Sequence, residues 1–423
     1  MNQTKDYNVI IIGAGAAGLM AAWELVQAGK NLLILEAKSR LGGRIYTFSG
    51  EGFSVPIELG AEFVHGKLPL TKMLMEKAGV EWEEVKGSFW LVQGNEWKPT
   101  NMEIDADSRV MNALKKVEQD ISVADFLKQH FNTDTATCEE VKNYVEGYYA
   151  ADVDRASTFA FREEMTSVND PDFRINGGYV QIIEFLENQL KDRTCTIELD
   201  TPVTEIVWEA GSVKVMSGYK TFFTDKILIT VPLGVLSAPV IKFNPSLPML
   251  DEALPILGYG PAIKIILEFN ERFWLRNTAL NDLSMIFTEA LIPVWWTQYP
   301  KENAILTGWI AGGMAKNLVH FKKEVLLQKA LESLASIFDV SIDHLQSMLK
   351  AHYINNWYKG PYAKGAYSYA TVDDSAARIA MKKGIVRTLY FAGEGWNDSL
   401  QIGTVEAALQ SGRDTAHQIV ADR

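Results

Sequence analysis

The chain has 423 residues, more than one hydrophobic core ordinarily holds, so two domains are the default expectation. Its 47% hydrophobic and 22% charged residues are those of an ordinary soluble globular protein. The formal net charge of −12 argues against a nucleic-acid partner and would favour attraction of a cationic substrate.

Two cysteines, Cys138 and Cys195, lack any C-x-x-C or zinc spacing, which suits a reducing compartment, non-structural thiols and no metal. No apolar run reaches the length of a membrane span. The N-terminus, MNQTKDYN, runs directly into the first apolar stretch and leaves no room for a signal peptide. A soluble cytoplasmic protein, monomer or homodimer, with no membrane contact is therefore expected.

Val9 to Ile12 is an all-apolar run that predicts a strand buried on both faces. Gly13, Gly15 and Gly18 follow at G-x-G-x-x-G spacing around Ala16 and Ala17, and Leu19 to Ala28 carries apolar residues at helical spacing before Gly29. Asn31 to Leu35 predicts a second buried strand ending on Glu36. Gly13 permits the tight turn, Gly15 lets a pyrophosphate approach the backbone, and Gly18 lets helix and strand pack closely. The helix N-terminus offers free N–H groups to the phosphates, and Glu36 is placed to accept hydrogen bonds from a ribose. The next segment, AKSRLGGR from Ala37 to Arg44, allows another close backbone approach at Gly42 and Gly43 and supplies a guanidinium for a phosphate. A second phosphate device after a complete dinucleotide fingerprint favours FAD over NAD.

Pro56 to Gly66 is short, apolar and glycine-punctuated and carries His65, and Leu68 to Gly79 predicts a helix. Thr100 to Gln129, Cys138 to Tyr149 and Thr158 to Met165 are helical in pattern, with Asp120, Ser122 or Asp125 as caps. This change of character marks the first insertion of a second domain. Tyr179 to Leu190 predicts a helix opened by Gly177-Gly178. Strands are expected over 194–199, 203–209, 213–217 and 226–230, then a proline-rich connection over 232–248. Further strands over 262–269, 284–287, 294–299 and 305–311 make a mostly antiparallel second sheet, followed by helices over 320–338 and 341–349. Strands over 351–357 and 388–393 and a closing helix over 403–420 complete the chain. The expected fold is mixed α/β: a Rossmann-like nucleotide domain from 1–85, 190–255 and 351–423, with a substrate domain from 86–189 and 256–350.

Taken together, GAGAAG at 13–18, EAKSRLGGRIYT at 36–47, ELGAEFVHG at 58–66, PAIKIILEF at 261–269, WYKGPYAKGAYSY at 357–369, FAGE at 391–394 and GTVEAALQSG at 403–412 resemble the flavin-dependent amine oxidase family, in order and spacing. The resemblance implies a two-domain FAD-binding fold. It implies cofactor contacts from Glu36 at the ribose, Arg44 at the pyrophosphate, the Val203 backbone at adenine, Glu394 at the ribityl chain, and Thr404 and Val405 at the flavin pyrimidine. The same motifs place Ala37, Gly60, Ala61, Glu62 and Gly393 at the cofactor. Lys264 matches the lysine that holds a water against flavin N5 and serves reoxidation. Tyr367 matches one wall of an aromatic cage around the substrate nitrogen, and Trp357 a tryptophan near flavin and substrate.

Departures from the family pattern carry information. Ala366 stands where monoamine oxidases carry the flavin-bonding cysteine, which implies non-covalent FAD. Thr404 replaces their second cage tyrosine, and His65 resembles the histidine that contacts the chain of the substrate in polyamine oxidases. Phe63 lies where L-amino-acid oxidases tend to carry a carboxylate-binding arginine, so an amino-acid substrate would need Arg162 or Arg174 instead. An acidic funnel for a polyamine would draw on Glu62, Glu163 or Glu164. The implied reaction passes hydride from the carbon beside an amine nitrogen to flavin N5. Hydrolysis of the imine then gives an aldehyde or ketone, and dioxygen is reduced to hydrogen peroxide. A polyamine or secondary amine is favoured over a primary monoamine and then an L-amino acid; a non-catalytic flavin-bound interaction protein is the reading from another class.

Overall fold

The computed structural model describes residues 7–66, 68–100, 109–167, 171–191, 193–399 and 402–422. Strand β1 (Tyr7–Ile12) and strand β2 (Leu32–Leu35) pair in parallel, Val9 opposite Leu32 through Ile12 opposite Leu35. All four β2 residues and the last four of β1 are buried, because helix α1 (Ala16–Gln27) packs on one face and residues such as Val203, Ile206, Val215 and Leu250 pack on the other. Helix α1 joins the two strands.

The first sheet has eight strands, in the order Cys195–Glu198, β2, β1, Lys220–Ile229, Ser212–Ser217, Glu205–Glu209 and Lys242–Asn244, with Leu389–Phe391 also pairing Lys220–Ile229. Its inner strands run parallel, while 205–229 is an antiparallel meander. The strand expected over 226–230 is thus the buried end of a ten-residue strand that begins at Lys220. The connection over 232–248 contains the short helix Leu233–Ser237 and the edge strand Lys242–Asn244.

The second sheet orders Leu349–Asn356, Ala262–Phe269, Ile305–Ala311, Val294–Trp296, Leu283–Thr288, Ser88–Gln93 and Glu96–Thr100. Two features differ from the sequence expectation. Residues 88–100 form a hairpin that turns at Gly94, φ +56, and extends the sheet. Residues 349–356 pair with 262–269, so the boundary expected at 351 falls inside a strand of the second sheet. The expected helix over 100–129 is two shorter ones, Arg109–Leu114 and Val123–His130, the latter capped by Ser122 accepting from the Asp125 amide; residues 101–108 lie outside the described residues. Among the described residues no helix is long and apolar enough to cross a membrane.

The last helix, Val405–Ala421, lies directly on α1, and helix α2 (Pro69–Ala78) joins it. Gly412 permits the close approach: a methyl there would overlap the Ala17 carbonyl. Glu406 reaches across to the start of α2 and accepts from the Leu70 and Thr71 amides and the Thr71 hydroxyl at 2.8–2.9 Å. Replacing Gly412 by alanine must push the two helices apart. The expected cost is about 2 kcal/mol, read as a lower urea midpoint with an unchanged slope.

Candidate active site

A cavity of about 1550 Å³ runs from the β1–α1 turn to the second sheet. Every residue expected to bind the cofactor or take part in catalysis borders it except Gly18; of the further candidates for a substrate carboxylate or an acidic funnel, Arg162, Arg174 and Glu163 do not. Gly18 serves packing, since a methyl there would overlap the Gly13 carbonyl. Gly13 has φ +104 and turns the chain, and the Thr230 hydroxyl bridges the Ile12 and Gly13 carbonyls beside it. Gly15, by contrast, has no atom within 4 Å of the position of an added methyl, which leaves its cavity side open for a close ligand. Glu36 is fixed by accepting from the Ala14 amide at 2.8 Å and the Lys38 amide at 2.9 Å.

Arg44 gathers this end of the site. Its Nη1 donates to Glu394 Oε1 at 2.5 Å and to the Ala366 carbonyl at 2.8 Å. Burial disfavours its charge, but Tyr259 and Glu394 more than offset that and raise its pKa above the ordinary value. Trp357 is locked by donating to the Leu59 carbonyl at 3.0 Å. The Lys38 ammonium lies 5.7 Å over its ring, and burial beside Arg40 and Arg44 pulls the Lys38 pKa down to about 8. Thr404 caps the last helix by accepting from the Ala407 amide at 3.0 Å, so its hydroxyl holds the helix end that meets the cavity.

The opposite end is aromatic and acidic. Tyr367 donates to the Tyr148 carbonyl at 2.5 Å, and Trp309 donates to the adjacent Gly147 carbonyl at 2.8 Å. Both acceptors lie in the last turn of the helix Thr135–Tyr149. The two rings are parallel within 3°, centroids 6.3 Å apart. That is less than the roughly 7 Å two faces need to sandwich an ammonium, so they present one wall. His65 pairs with Asp172 at 2.8 Å; Asp172 and Glu164 raise its pKa against the opposing effect of burial. Glu164 also borders the cavity, and burial raises its pKa.

Lys264 sits in a strand whose eight residues are all buried. Its Nζ donates to Glu62 Oε2 at 2.6 Å and the Gly60 carbonyl at 3.3 Å. Burial would raise the Glu62 pKa, but Lys264 and Arg174 outweigh it and bring the carboxyl down to about 2. Three expectations are corrected here. Glu62 is no funnel acid, since its carboxylate is spent on buried partners. Glu163 is exposed and off the cavity. Neither arginine is poised for a substrate carboxylate: Arg174 is tied to Glu62 and to the Thr297 and Tyr299 carbonyls, and Arg162 to the Leu114 and Val117 carbonyls. Sequence reasoning missed Trp309 and the tyrosines 144, 148 and 149. Trp309 lies directly opposite Lys264 in the strand pairing, a register that no local pattern reveals.

Comparison with known proteins decides the family. The model of the flavin-containing amine oxidoreductases matches residues 16–88 and 100–420. The chain belongs to that family. Polyamine oxidase 2 of Arabidopsis thaliana is 27% identical over 97% of this chain and 87% of its own length. Human lysine-specific histone demethylase 2 is also 27% identical, over 99% of this chain but 54% of its own length. In structure, putrescine oxidase bound to putrescine superposes with a TM-score of 0.82 at 18% identity, over 98% of this chain and 99% of that one, which shows the shared fold. The chain is therefore an amine-oxidising flavoenzyme.

One acid beside the site has an unusual proton balance. Glu58 Oε1 accepts from the Tyr179 amide at 2.6 Å and the Thr47 hydroxyl at 2.8 Å, while Oε2 is buried without a partner among the described residues. Burial pushes the carboxyl up to about 7 from an ordinary 4.5, against the pull of those two hydrogen bonds. Between those values the folded protein holds a proton that the unfolded chain releases, so Glu58 lowers stability as pH rises through this window. Glu58→Gln keeps the Oε1 acceptor and removes the charge. Relative to wild type, the variant should gain urea stability between about pH 5 and about pH 8; a constant difference across that range would show that Glu58 stays ionised.

Proposed function

We propose that this enzyme is a FAD-dependent oxidase of polyamines or similar secondary amines, with FAD held non-covalently. The observation that carries the substrate assignment is the sorting of charge along the cavity. Glu139, Glu140, Glu146, Glu164, Asp172 and Glu289 border its substrate half, where no lysine or arginine is among the described lining residues, whereas at the other end Glu36, Glu394 and Glu406 accept from protein donors beside Lys38 and Arg44, and Lys264 is paired with Glu62. A polycation fits the first arrangement and a dinucleotide pyrophosphate the second.

The open face of Gly15, the N-terminus of α1, Glu36, Arg44 and Val203 fit the ADP part of FAD. Arg44 and Glu394 fit the middle of the molecule, and the N-terminus of the last helix at Thr404 and Val405 favours negative charge on a ring beside it. Ala366 offers no thiol for a covalent link. Bound there, FAD supplies the redox chemistry, taking hydride from the carbon beside the amine nitrogen and passing the electrons to dioxygen.

The chain's own groups position the reaction. Tyr367 and Trp309 give the amine an apolar wall that tolerates it both as the arriving cation and as the neutral form that releases hydride. Glu164 and Asp172, the latter fixed by His65, hold a second, distal ammonium and so fix which carbon faces the flavin. Lys264 presents a fixed positive charge where dioxygen is reduced. Release of the imine lets water convert it to an aldehyde or ketone and a smaller amine.

The test is anaerobic mixing of the yellow protein with spermine, spermidine, N-acetylspermine, benzylamine and an L-amino acid while flavin absorbance is followed. A polyamine is expected to bleach the flavin fastest, with colour and peroxide returning on admission of air. Bleaching by benzylamine alone would reject the polyamine assignment.

A further inference from the structure

We propose that Glu62 is the positioning residue for Lys264: its carboxylate pins the lysine ammonium, charged and aimed, at the place where dioxygen is reduced. This rests on the oxidase reading above. The strand Ala262–Phe269 lies between Ile305–Ala311 and Leu349–Asn356, and Lys264 is 1% exposed within it. A lone ammonium there has lost its water and needs replacement partners. Glu62 Oε2 at 2.6 Å and the Gly60 carbonyl at 3.3 Å take two of its three protons, and the side chain borders the cavity.

Glu62 is itself held without slack. Its Oε1 accepts from Trp296 Nε1 at 3.0 Å, Arg174 Nε at 3.2 Å and Gln298 Nε2 at 3.2 Å. Arg174 in turn lies 4.6 Å over Phe63 and donates to the Thr297 and Tyr299 carbonyls. With four donors on one carboxylate, neither oxygen rotates freely, so Oε2 is a fixed anchor for Lys264. The unit contains one anion and two cations, and Glu58 is the next acid toward Lys264. Without the Glu62 charge, two buried cations face each other. Arg174 is held by two carbonyls besides, so Lys264, on its flexible four-carbon stem, is the member that swings away. Reduction of dioxygen develops negative charge on oxygen, and a displaced lysine no longer stabilises it.

The decisive variant is Glu62→Gln, with Glu62→Asp as a second that keeps the charge but shortens the reach. Holoenzyme is reduced with dithionite, which involves no amine, and mixed with dioxygen. Reoxidation is expected to slow by about tenfold or more in Glu62→Gln and by about threefold in Glu62→Asp.

A second readout uses the apoprotein: fluorodinitrobenzene labelling at near-neutral pH, followed by peptide mass spectrometry, should modify Lys264 about tenfold faster in Glu62→Gln. In a Lys264→Met background, adding Glu62→Gln should cause no further loss of reoxidation rate, because Glu62 acts only through the lysine. Unchanged reoxidation in both single variants, unchanged labelling, or a further loss in the double variant would each overturn the proposal. Failure of every amine to bleach the flavin, with dithionite results as expected, would reject the substrate reading and leave this one standing.

Discussion

The ion pair between Arg44 and Glu394 joins residues 350 positions apart in the sequence, and the site depends on it. The guanidinium also holds the Ala366 carbonyl, just before Tyr367, and the Arg44 carbonyl accepts from the Ala61 amide, one residue before Glu62. A methyl on Gly60 would overlap that same carbonyl. Cofactor cradle, lysine anchor and aromatic wall are therefore referred to one residue. A buried charge tolerates this only when partners replace its water, and the partners come from segments that local folding alone could not bring together.

The parts legible in the sequence are those whose physics is local. β1, the glycine turn and β2 are readable because doubly buried strands must be apolar throughout and the turn needs residues without Cβ. The strand Ala262–Phe269 has its expected bounds for the same reason, and it buries two charged residues, Lys264 and Glu268. The hairpin at 88–100 carried a Gly-Asn turn between two β-rich runs, a signal that was present and passed over. Other features have no local signature. Trp309 joins Tyr367 through backbone carbonyls of a third element. Glu62 read as a candidate funnel acid because an isolated carboxylate in a sequence does not reveal whether a cation waits 112 residues away, as Arg174 does, or 202 away, as Lys264 does. Such pairs follow from sheet register and domain insertion, which the linear pattern underdetermines.

The overall charge of −12 is a blunt statement of something the fold sorts finely. Carboxylates line both halves of the cavity, but Arg44 and Lys38 stand only at the cofactor end, where Glu394 pairs with Arg44. The paired Lys264 lies between, its field partly cancelled by Glu62 and supplemented by Arg174. A long-range field draws cations toward the protein, and short-range pairs decide what each region of the cavity accepts.

The packing of the last helix against α1, through Gly412 on the Ala17 carbonyl, has a consequence for how the protein comes into being. The phosphate cradle is translated well before Glu394, the Thr404 cap and the helix that covers α1, Arg44 preceding Glu394 by 350 residues. A chain emerging from the ribosome therefore carries an uncovered α1 and an Arg44 without Glu394 until the helix Val405–Ala421 has been made. Closure of the nucleotide domain therefore waits on segments some 350 residues downstream of Arg44.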